Sequence, residues 1–377
     1  MSLETIHILL NIIMIFAALY LICIGAFTYG LTILSRNYNR DAILRQAKKV
    51  SVLIAARNEG KNIGKLLQSL YNQTFDKENF EVIIVDDHSD DDTFGISESF
   101  KVSHPEMSLK LLKATGSGKK QAISQALHAA DNEVVIVTDA DCELPAKWIE
   151  KMLAFYIAKD LKMLLGPVLL SPADTLFEKL QVLEHMSLIA STAGSAAIGM
   201  PVMCNGANMM YDRKSALNVE KDRTDMKLAS GDDMFLMEQF IARYGSKAIG
   251  FFLNREVIVK TATMPNLKAF FRQRTRWTSK TKAYTNWKII ATALSVFLFN
   301  LSIVFFFVAG FFMPVFWAFY VLYVIMKTLI DYPIIRRISA FMKQKKLKFW
   351  TLPLEFIYPF YVVFTAIAGM FAKVRWK

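Results

Sequence analysis

Residues 5–35 contain no Asp, Glu, Lys or Arg, and a chain with such a stretch has few places to put it. The segment, TIHILLNIIMIFAALYLICIGAFTYGLTILS, exceeds the roughly 20 residues that an α-helix needs to cross a bilayer. A cleaved leader does not fit, because no basic region precedes the apolar run, the run is too long, and no small-x-small cleavage site follows. Residues 8–33 are therefore expected to form an uncleaved membrane anchor. Toward the other end, residues 289–326 also lack formal charge. One helix of that length would reach about 57 Å, nearly twice the thickness of the hydrocarbon layer. Gly310 and Pro314 in AGFFMP supply a break, which predicts two spans, about 289–309 and 313–333. A further apolar stretch, 351–372, carries Pro353, Glu355 and Pro359 near its start and either spans the membrane or lies in its interface. The spans carry few polar groups, chiefly Asn300 and Asp331, which argues against a transporter.

The net charge of +12 is concentrated at the borders of these segments. Arg36, Arg40, Arg45, Lys48 and Lys49 follow the first span. Arg336, Arg337, Lys343, Lys345, Lys346 and Lys348 follow the hairpin. The positive-inside rule puts both clusters, and the domain between the spans, in the cytoplasm. If 351–372 also spans, Lys373, Arg375 and Lys377 fall outside, against that rule. No basic stripe interleaved with aromatics appears, so a nucleic-acid partner is not expected. Cys23, Cys142 and Cys204 show neither paired nor metal-type spacing, as suits a reducing compartment.

From about residue 46 the composition turns globular. VSVLIAA (50–56) is an apolar run, followed by Ile63, Leu66, Leu67 and Leu70 at helical spacing. Then come FEVIIVDD (80–87), a polar helical stretch, LKLLKA (109–114), the helical GKKQAISQALHAA and the strand-like EVVIVTD. This β-α-β-α succession predicts a doubly wound α/β sheet with mostly parallel strands, whose ligands bind beyond the carboxyl ends of the strands. Arg57-Asn58-Glu59, Asp86-Asp87 and Asp139-Ala140-Asp141 all fall at such ends. No GxGxxG follows the first strand, and GSGKK (116–120) lacks both the first glycine and the final Ser/Thr of a phosphate loop, so dinucleotide binding and P-loop hydrolysis are not expected.

Two carboxylates one residue apart repel each other and resist burial unless something positive stands between them. Asp139 and Asp141, at the end of the apolar VVIV, can aim to one side and hold a hard divalent cation. Mg²⁺ takes one or two protein carboxylates and completes its shell with substrate phosphates and water. A solvated turn with capping aspartates is the alternative. Asp232 and Asp233 in SGDDMFL open a helical pattern, where capping of a helix N-terminus is one role and acid–base chemistry another. Residues 186–203 are apolar and rich in small side chains. A membrane span there would split the central domain across the bilayer, so a close-packed helix and loop leading to CNGANMMY is expected.

Taken in order, VSVLIAARNEGKNIGKLLQSLYNQ, VIIVDDHSDDDT, GKKQAIS, VTDADCELPAKWIEKM, NGANMMYDR, SGDDMFLMEQF and QRTRW resemble the landmarks of the membrane-bound branch of family 2 inverting glycosyltransferases. The likeness extends to processive polysaccharide synthases and ceramide glucosyltransferases that carry QxxRW. It covers about residues 50–280. The resemblance implies a GT-A type α/β domain with transmembrane helices at both ends: an anchor (1–35), a cytoplasmic transferase domain (46–265), an interfacial amphipathic helix bearing QxxRW (266–287) and a C-terminal membrane region of two to three spans (288–377).

It also implies a nucleotide-diphospho-sugar donor, with a UDP-sugar as first choice, and Mg²⁺ or Mn²⁺ as cofactor. On that reading Ala56, Arg57 and Glu59 lie against the nucleoside and Asp87 reads the base. Lys119 approaches the donor, Asp139 faces ribose and donor, and Asp141 is the metal ligand. Asp233 is the general base with Asp232 beside it, and Gly231 in that motif does not disturb the assignment. Gln273, Arg276 and Trp277 close over the diphosphate and the acceptor sugar, although Arg272, Arg274, Lys280 and Lys282 also suit basic residues snorkelling at a membrane interface. Asn205, Gly206 and Asn208 either line the acceptor pocket or pack. The expected location is a bacterial inner membrane. The expected acceptor is a hydroxyl of a membrane lipid or lipid-linked saccharide, with an extruded polysaccharide as the alternative and a non-catalytic membrane scaffold as the reading from another class.

Overall fold

The computed structural model describes residues 3–37, 48–221 and 232–372. Arg40, Arg45, Gly231, Lys373, Arg375 and Lys377 lie outside the described residues, as does the side chain of Asp232. The chain divides into two compact units, one made of residues 34–172, 203–263 and 374–377, the other of 1–33, 173–202 and 264–373.

The first unit is built on a sheet. Its strands are β1 (Val50–Ala56), β2 (Phe80–Asp86), β3 (Ser108–Lys113), β4 (Val134–Val137), β5 (Met163–Leu165), β7 (Met209–Asp212) and β8 (Ile249–Phe251), in the order β3-β2-β1-β4-β7-β5-β8. The strands β1, β2, β3 and β4 pair in parallel, as do β5 and β8, whereas β7 runs antiparallel to both β4 and β5. The sheet is therefore mixed, with the expected parallel half and one reversed strand, β7, fifth in the order. The strands β1, β2 and β4 are buried along their whole length, as continuous runs of Val, Ile and Leu require when both faces are covered. Helix α2 (Ile63–Tyr71) puts Ile63, Leu66, Leu67 and Leu70 on its buried face. The helices α3 (Thr93–Ser103), α4 (Lys119–Ala129), α5 (Trp148–Ala158), α7 (Arg213–Glu220) and α8 (Asp232–Tyr244) complete the layers. A two-stranded parallel ribbon joins β6 (Val168–Ser171) to β9 (Val259–Ala262).

The second unit is helical: α1 (Leu3–Asn37, of which residues to 33 belong here), α6 (Leu176–Ala197), α9 (Leu267–Thr278), α10 (Trp287–Gly310), α11 (Val315–Phe341), α12 (Thr351–Glu355) and α13 (Tyr358–Phe371). Among the described residues three helices are long and apolar enough to cross a membrane: α1 over Leu10–Arg36, α10 and α11. A fourth span results if the bent pair Lys345–Glu355 and Tyr358–Phe371, broken by 72°, counts as one. The break between α10 and α11 falls where the sequence puts it, with Pro314 at the N-cap of α11. Helix α11 then runs beyond the expected end, through Pro333 to Phe341.

Residues 186–197 are helical and packed through glycines, in keeping with their small side chains. A Cβ on Gly30 would lie 2.1 Å from the Gly194 carbonyl oxygen, and one on Gly194 would lie 2.1 Å from that of Phe27. The backbones of α1 and α6 therefore touch, and only glycine allows that approach. The bundle also holds a buried ionic cluster that the sequence shows only in part. Besides Asp331 it contains Lys327, 2.5 Å from Asp331 and 2.8 Å from Glu355. The Tyr20 hydroxyl donates to Asp331 at 2.8 Å, which ties α1 to α11. Each charge has an opposite partner, as burial in an apolar bundle demands.

Candidate active site

The carboxyl ends of β1, β2 and β4 lie side by side, and the loops that leave them are stitched together. The Asn58 amide donates to Ser89 Oγ at 2.9 Å, and the Asp90 amide to Asn58 Oδ1 at 2.8 Å. Asn58 and His88 both have φ of 55°, the left-handed conformation that tight loops of this kind impose. Asp91 accepts from the Gly60 amide at 2.9 Å and from the hydroxyl of Thr93, the latter bond chiefly holding its carboxyl below the usual range. Glu59 is buried, receives the Asn62 amide group at 2.8 Å, and starts the turn into α2.

Asp87 is fully buried at the centre of this edge. Its two oxygens accept from the Gly118 amide at 3.1 and 3.0 Å, and Arg57 Nη1 stands 3.6 Å away. The Asp87 amide donates to the Ala56 carbonyl at 2.8 Å. Its neighbour Asp86 is also buried and accepts from the Ser89 amide at 3.3 Å through Oδ2, while Oδ1 has no hydrogen-bond partner among the described residues. Gly118 caps α4 at φ 100° and ψ 153°, a conformation essentially reserved for glycine. It starts α4 so that Lys119, the first helical residue, forms an ion pair with Asp139.

Asp139 and Asp141 follow β4, both half-buried, with buried Ala140 between them. Asp141 Oδ2 accepts from the Thr261 hydroxyl of β9 at 3.3 Å. Burial, and after it the two aspartates, push the Cys142 thiol well up, so this cysteine is an inert core residue rather than a nucleophile. Among the described residues no group of three or more His, Cys, Asp and Glu side chains could hold a metal ion. Two half-buried carboxylates, one tied to a lysine, instead fit a hard divalent ion that takes most of its shell from substrate oxygens and water.

Asp233 opens α8. Its Oδ2 accepts from the Gly206 amide at 3.1 Å and its Oδ1 from the Met234 amide at 2.9 Å. A Cβ on Gly206 would lie 3.4 Å from Asp233 Cβ and 3.7 Å from both Asp233 Oδ2 and Lys119 Nζ. The lysine paired with Asp139 and the carboxylate of Asp233 thus meet over one glycine, although 114 residues separate them in sequence. Asn205 shapes that loop by accepting from the Ala207 amide at 3.0 Å.

Asn208 departs from the rest. It is wholly buried, its Oδ1 accepts the Trp148 indole N–H at 2.9 Å, and its Nδ2 donates to the Pro167 and Val257 carbonyls at 2.9 and 2.8 Å. These bonds join α5, the β5–β6 turn and the segment before β9, and a ligand would have to break them.

Thr261, which touches this site, carries no signal in the sequence, whereas Gly118 opens the GKKQAIS stretch but has no role legible there. Thr261 is 120 residues from Asp141, on a four-residue strand. Gln273, Arg276 and Trp277 belong to the helical unit, on α9, where all three are half-buried.

A mixed sheet in this order, with its acidic loops gathered on one edge, has the GT-A-like glycosyltransferase fold. Residues 51–218 match the family model of glycosyl transferase family 2. Over 277 residues it is 26% identical to the poly-β-1,6-N-acetyl-D-glucosamine synthase of Staphylococcus epidermidis, covering 70% of this chain and 62% of that protein. Over 117 residues it is 30% identical to the β-monoglucosyldiacylglycerol synthase of Synechocystis sp., covering 31% of this chain and 24% of that one. The chain spans less than two thirds of the length of these curated relatives. Among solved structures, the mannosyltransferase PcManGT from Pyrobaculum calidifontis, in complex with GDP-Man and Mn²⁺, matches with a TM-score of 0.58 at 17% identity. That match covers 96% of this chain and 100% of the other, and the likeness is one of fold.

Proposed function

We propose that this chain is a membrane-embedded, metal-dependent inverting glycosyltransferase that moves a sugar from a nucleotide-diphospho-sugar to a hydroxyl of a membrane lipid or lipid-linked saccharide. The observation that carries the reading is the meeting of Lys119, paired with Asp139, and Asp233 over Gly206 at the edge where β1, β2 and β4 end. On this reading Ala56, Arg57, Glu59 and Asp87 hold the nucleoside, with Asp87 prepared by the Gly118 amide and Arg57 before any ligand arrives. Lys119 and Asp139 face the donor. Asp141, steadied by Thr261, and Asp139 would hold a divalent cation, which when bound offsets the negative charge of the diphosphate.

Asp233 accepts the proton of the acceptor hydroxyl as that oxygen bonds to the anomeric carbon and the bond from that carbon to the diphosphate breaks on the opposite face. The sugar is inverted in that single displacement. Two backbone amides at the start of α8 fix the orientation of this carboxylate. Asn205 and Gly206 border the acceptor, Gln273, Arg276 and Trp277 are assigned to substrate contacts by the QxxRW resemblance alone, and Asn208 is left out of the site. The basic residues beside the spans support a cytoplasmic catalytic domain.

The test is transfer by the detergent-purified protein from a panel of nucleotide-sugars, with Mg²⁺ or Mn²⁺, to extracted membrane lipids. Asp233→Asn keeps an oxygen for the Gly206 amide but loses the base. It is expected to lower turnover by about 10²–10⁴-fold with donor binding retained. Parental turnover in that variant would rule out the base assigned here. A second reading, a processive synthase, draws on the relative matched over 70% of this chain, a polymer synthase. Product length separates the two, one sugar on an extractable lipid against an insoluble polymer. A variant-insensitive protein that transfers nothing would leave the scaffold reading.

A further inference from the structure

Arg274 is not one of the residues that define QxxRW, yet it is the buried one. Its side chain is 3% exposed and forms an ion pair with Glu184 of α6, itself 6% exposed. The other Glu184 oxygen accepts from the Tyr361 hydroxyl at 3.3 Å. A buried ion pair is weak evidence of stabilisation, because its desolvation costs about as much as its attraction returns, and packed apolar residues often do as well. Its place in the fold is better explained by what else the guanidinium holds.

Arg274 Nη1 donates to Gln273 Oε1 at 3.0 Å, and its guanidinium carbon stands 4.1 Å from the centre of the Trp277 ring and 4.8 Å from that of Phe270. One planar group therefore touches two of the three QxxRW side chains while its other fork is fixed by a carboxylate from a different helix. With Oε1 occupied, Gln273 is presented through its amide N–H donors, which suit phosphate or sugar oxygens. With one ring face covered by the guanidinium, Trp277 offers a sugar only the other face. The frame behind this is also α6: Gln181 exchanges two hydrogen bonds with the Met264 backbone, at 2.8 and 3.1 Å, just ahead of the Asn266 cap of α9.

We propose that Arg274, oriented by Glu184, is a positioning residue that sets the amide direction of Gln273 and the ring plane of Trp277. This rests on the glycosyltransferase reading above, in which those two side chains meet the substrates. Lysine at 274 would keep the charge and lose both the fork and the stack.

The experiment compares the full-length parent, Arg274→Lys and the neutral pair Glu184→Gln/Arg274→Gln in detergent. It reads folded yield, kcat and KM for the donor, and the emission of Trp277 obtained by subtracting the spectrum of Trp277→Phe in each background. Arg274→Lys is expected to fold, to lose about tenfold to a hundredfold in kcat, as misplaced substrate contacts do, and to change the Trp277 emission. The neutral pair should do the same, which separates orientation from loss of a charge. Parental kinetics with parental Trp277 emission would overturn the proposal. So would a fall in activity that tracks folded yield alone with that emission unchanged. If no nucleotide-sugar is turned over even by the parent, the functional reading fails, and the Trp277 spectrum still decides whether Arg274 sets the indole.

Discussion

The backbone amide of Gly118 addresses both carboxylate oxygens of Asp87, at 3.1 and 3.0 Å, from a conformation with φ of 100°. Nothing lies within 4 Å of where a Cβ would stand, so space is not what selects glycine there. Backbone conformation is. Gly118→Ala is expected to cost about 1–3 kcal/mol through strain alone. Relieving the strain would turn the amide away from Asp87, so donor affinity should fall along with the melting midpoint. Nucleotide titration beside thermal unfolding checks both.

Asp141 accepts from the Thr261 hydroxyl at 3.3 Å, which ties the loop after β4 to β9. Asp141→Ala is expected to abolish the dependence of donor binding on Mg²⁺ or Mn²⁺. Thr261→Val should weaken that dependence mildly, by about 0.5–1.5 kcal/mol, the usual worth of one hydrogen bond. Binding isotherms with and without the cation measure the two effects, and equal effects would place the metal elsewhere.

Asn208 answers a different question. Asn208→Leu would strand the Trp148 indole and the Pro167 and Val257 carbonyls inside the core. A loss of about 1–3 kcal/mol per buried group left unpaired is expected. The protein that remains folded should keep its KM for the acceptor. An altered acceptor KM at unchanged stability would return this residue to the acceptor site.

His185 is buried on α6, and neither ring nitrogen has a hydrogen-bond partner among the described residues. Burial, and after it the charge of Arg274, push the imidazole from about 6.5 down to about 3. The folded state refuses a proton that the unfolded state accepts between those values. Stability should therefore hold above about pH 6.5 and fall on acidification by about 1.4 kcal/mol per pH unit until about pH 3. His185→Phe should flatten that acid limb by one proton, as unfolding followed from neutral to acidic pH will show.

What the sequence discloses depends on how each element earns its burial. The strands β1, β2 and β4 are buried on both faces, so their runs of Val, Ile and Leu are legible by eye. β5 and β7 are three and four residues long, too short for any period, and the reversal of β7 is set by a return of the chain that no local pattern records. The α10–α11 break is legible because Pro314 and Gly310 mark it, whereas the end of α11 is not, since Arg336 and Arg337 continue a helix readily. Lys327 hides in an apolar segment because its neutralising partners, Asp331 and Glu355, become visible only when helices pack. At the candidate site, the acidic motifs could be named from their order, but the meeting of Lys119 and Asp233 over Gly206 could not.

The glycine contact between α1 and α6 bears on how the first helix can be replaced. A generic span of the same length and greasiness would arrive with a methyl or larger group at position 30, where the facing carbonyl leaves no room even for one carbon. Domain-swap or tag-anchor chimaeras of this protein must therefore transplant α1 with Gly30 in register against Gly194. Its Tyr20 must also keep reaching Asp331.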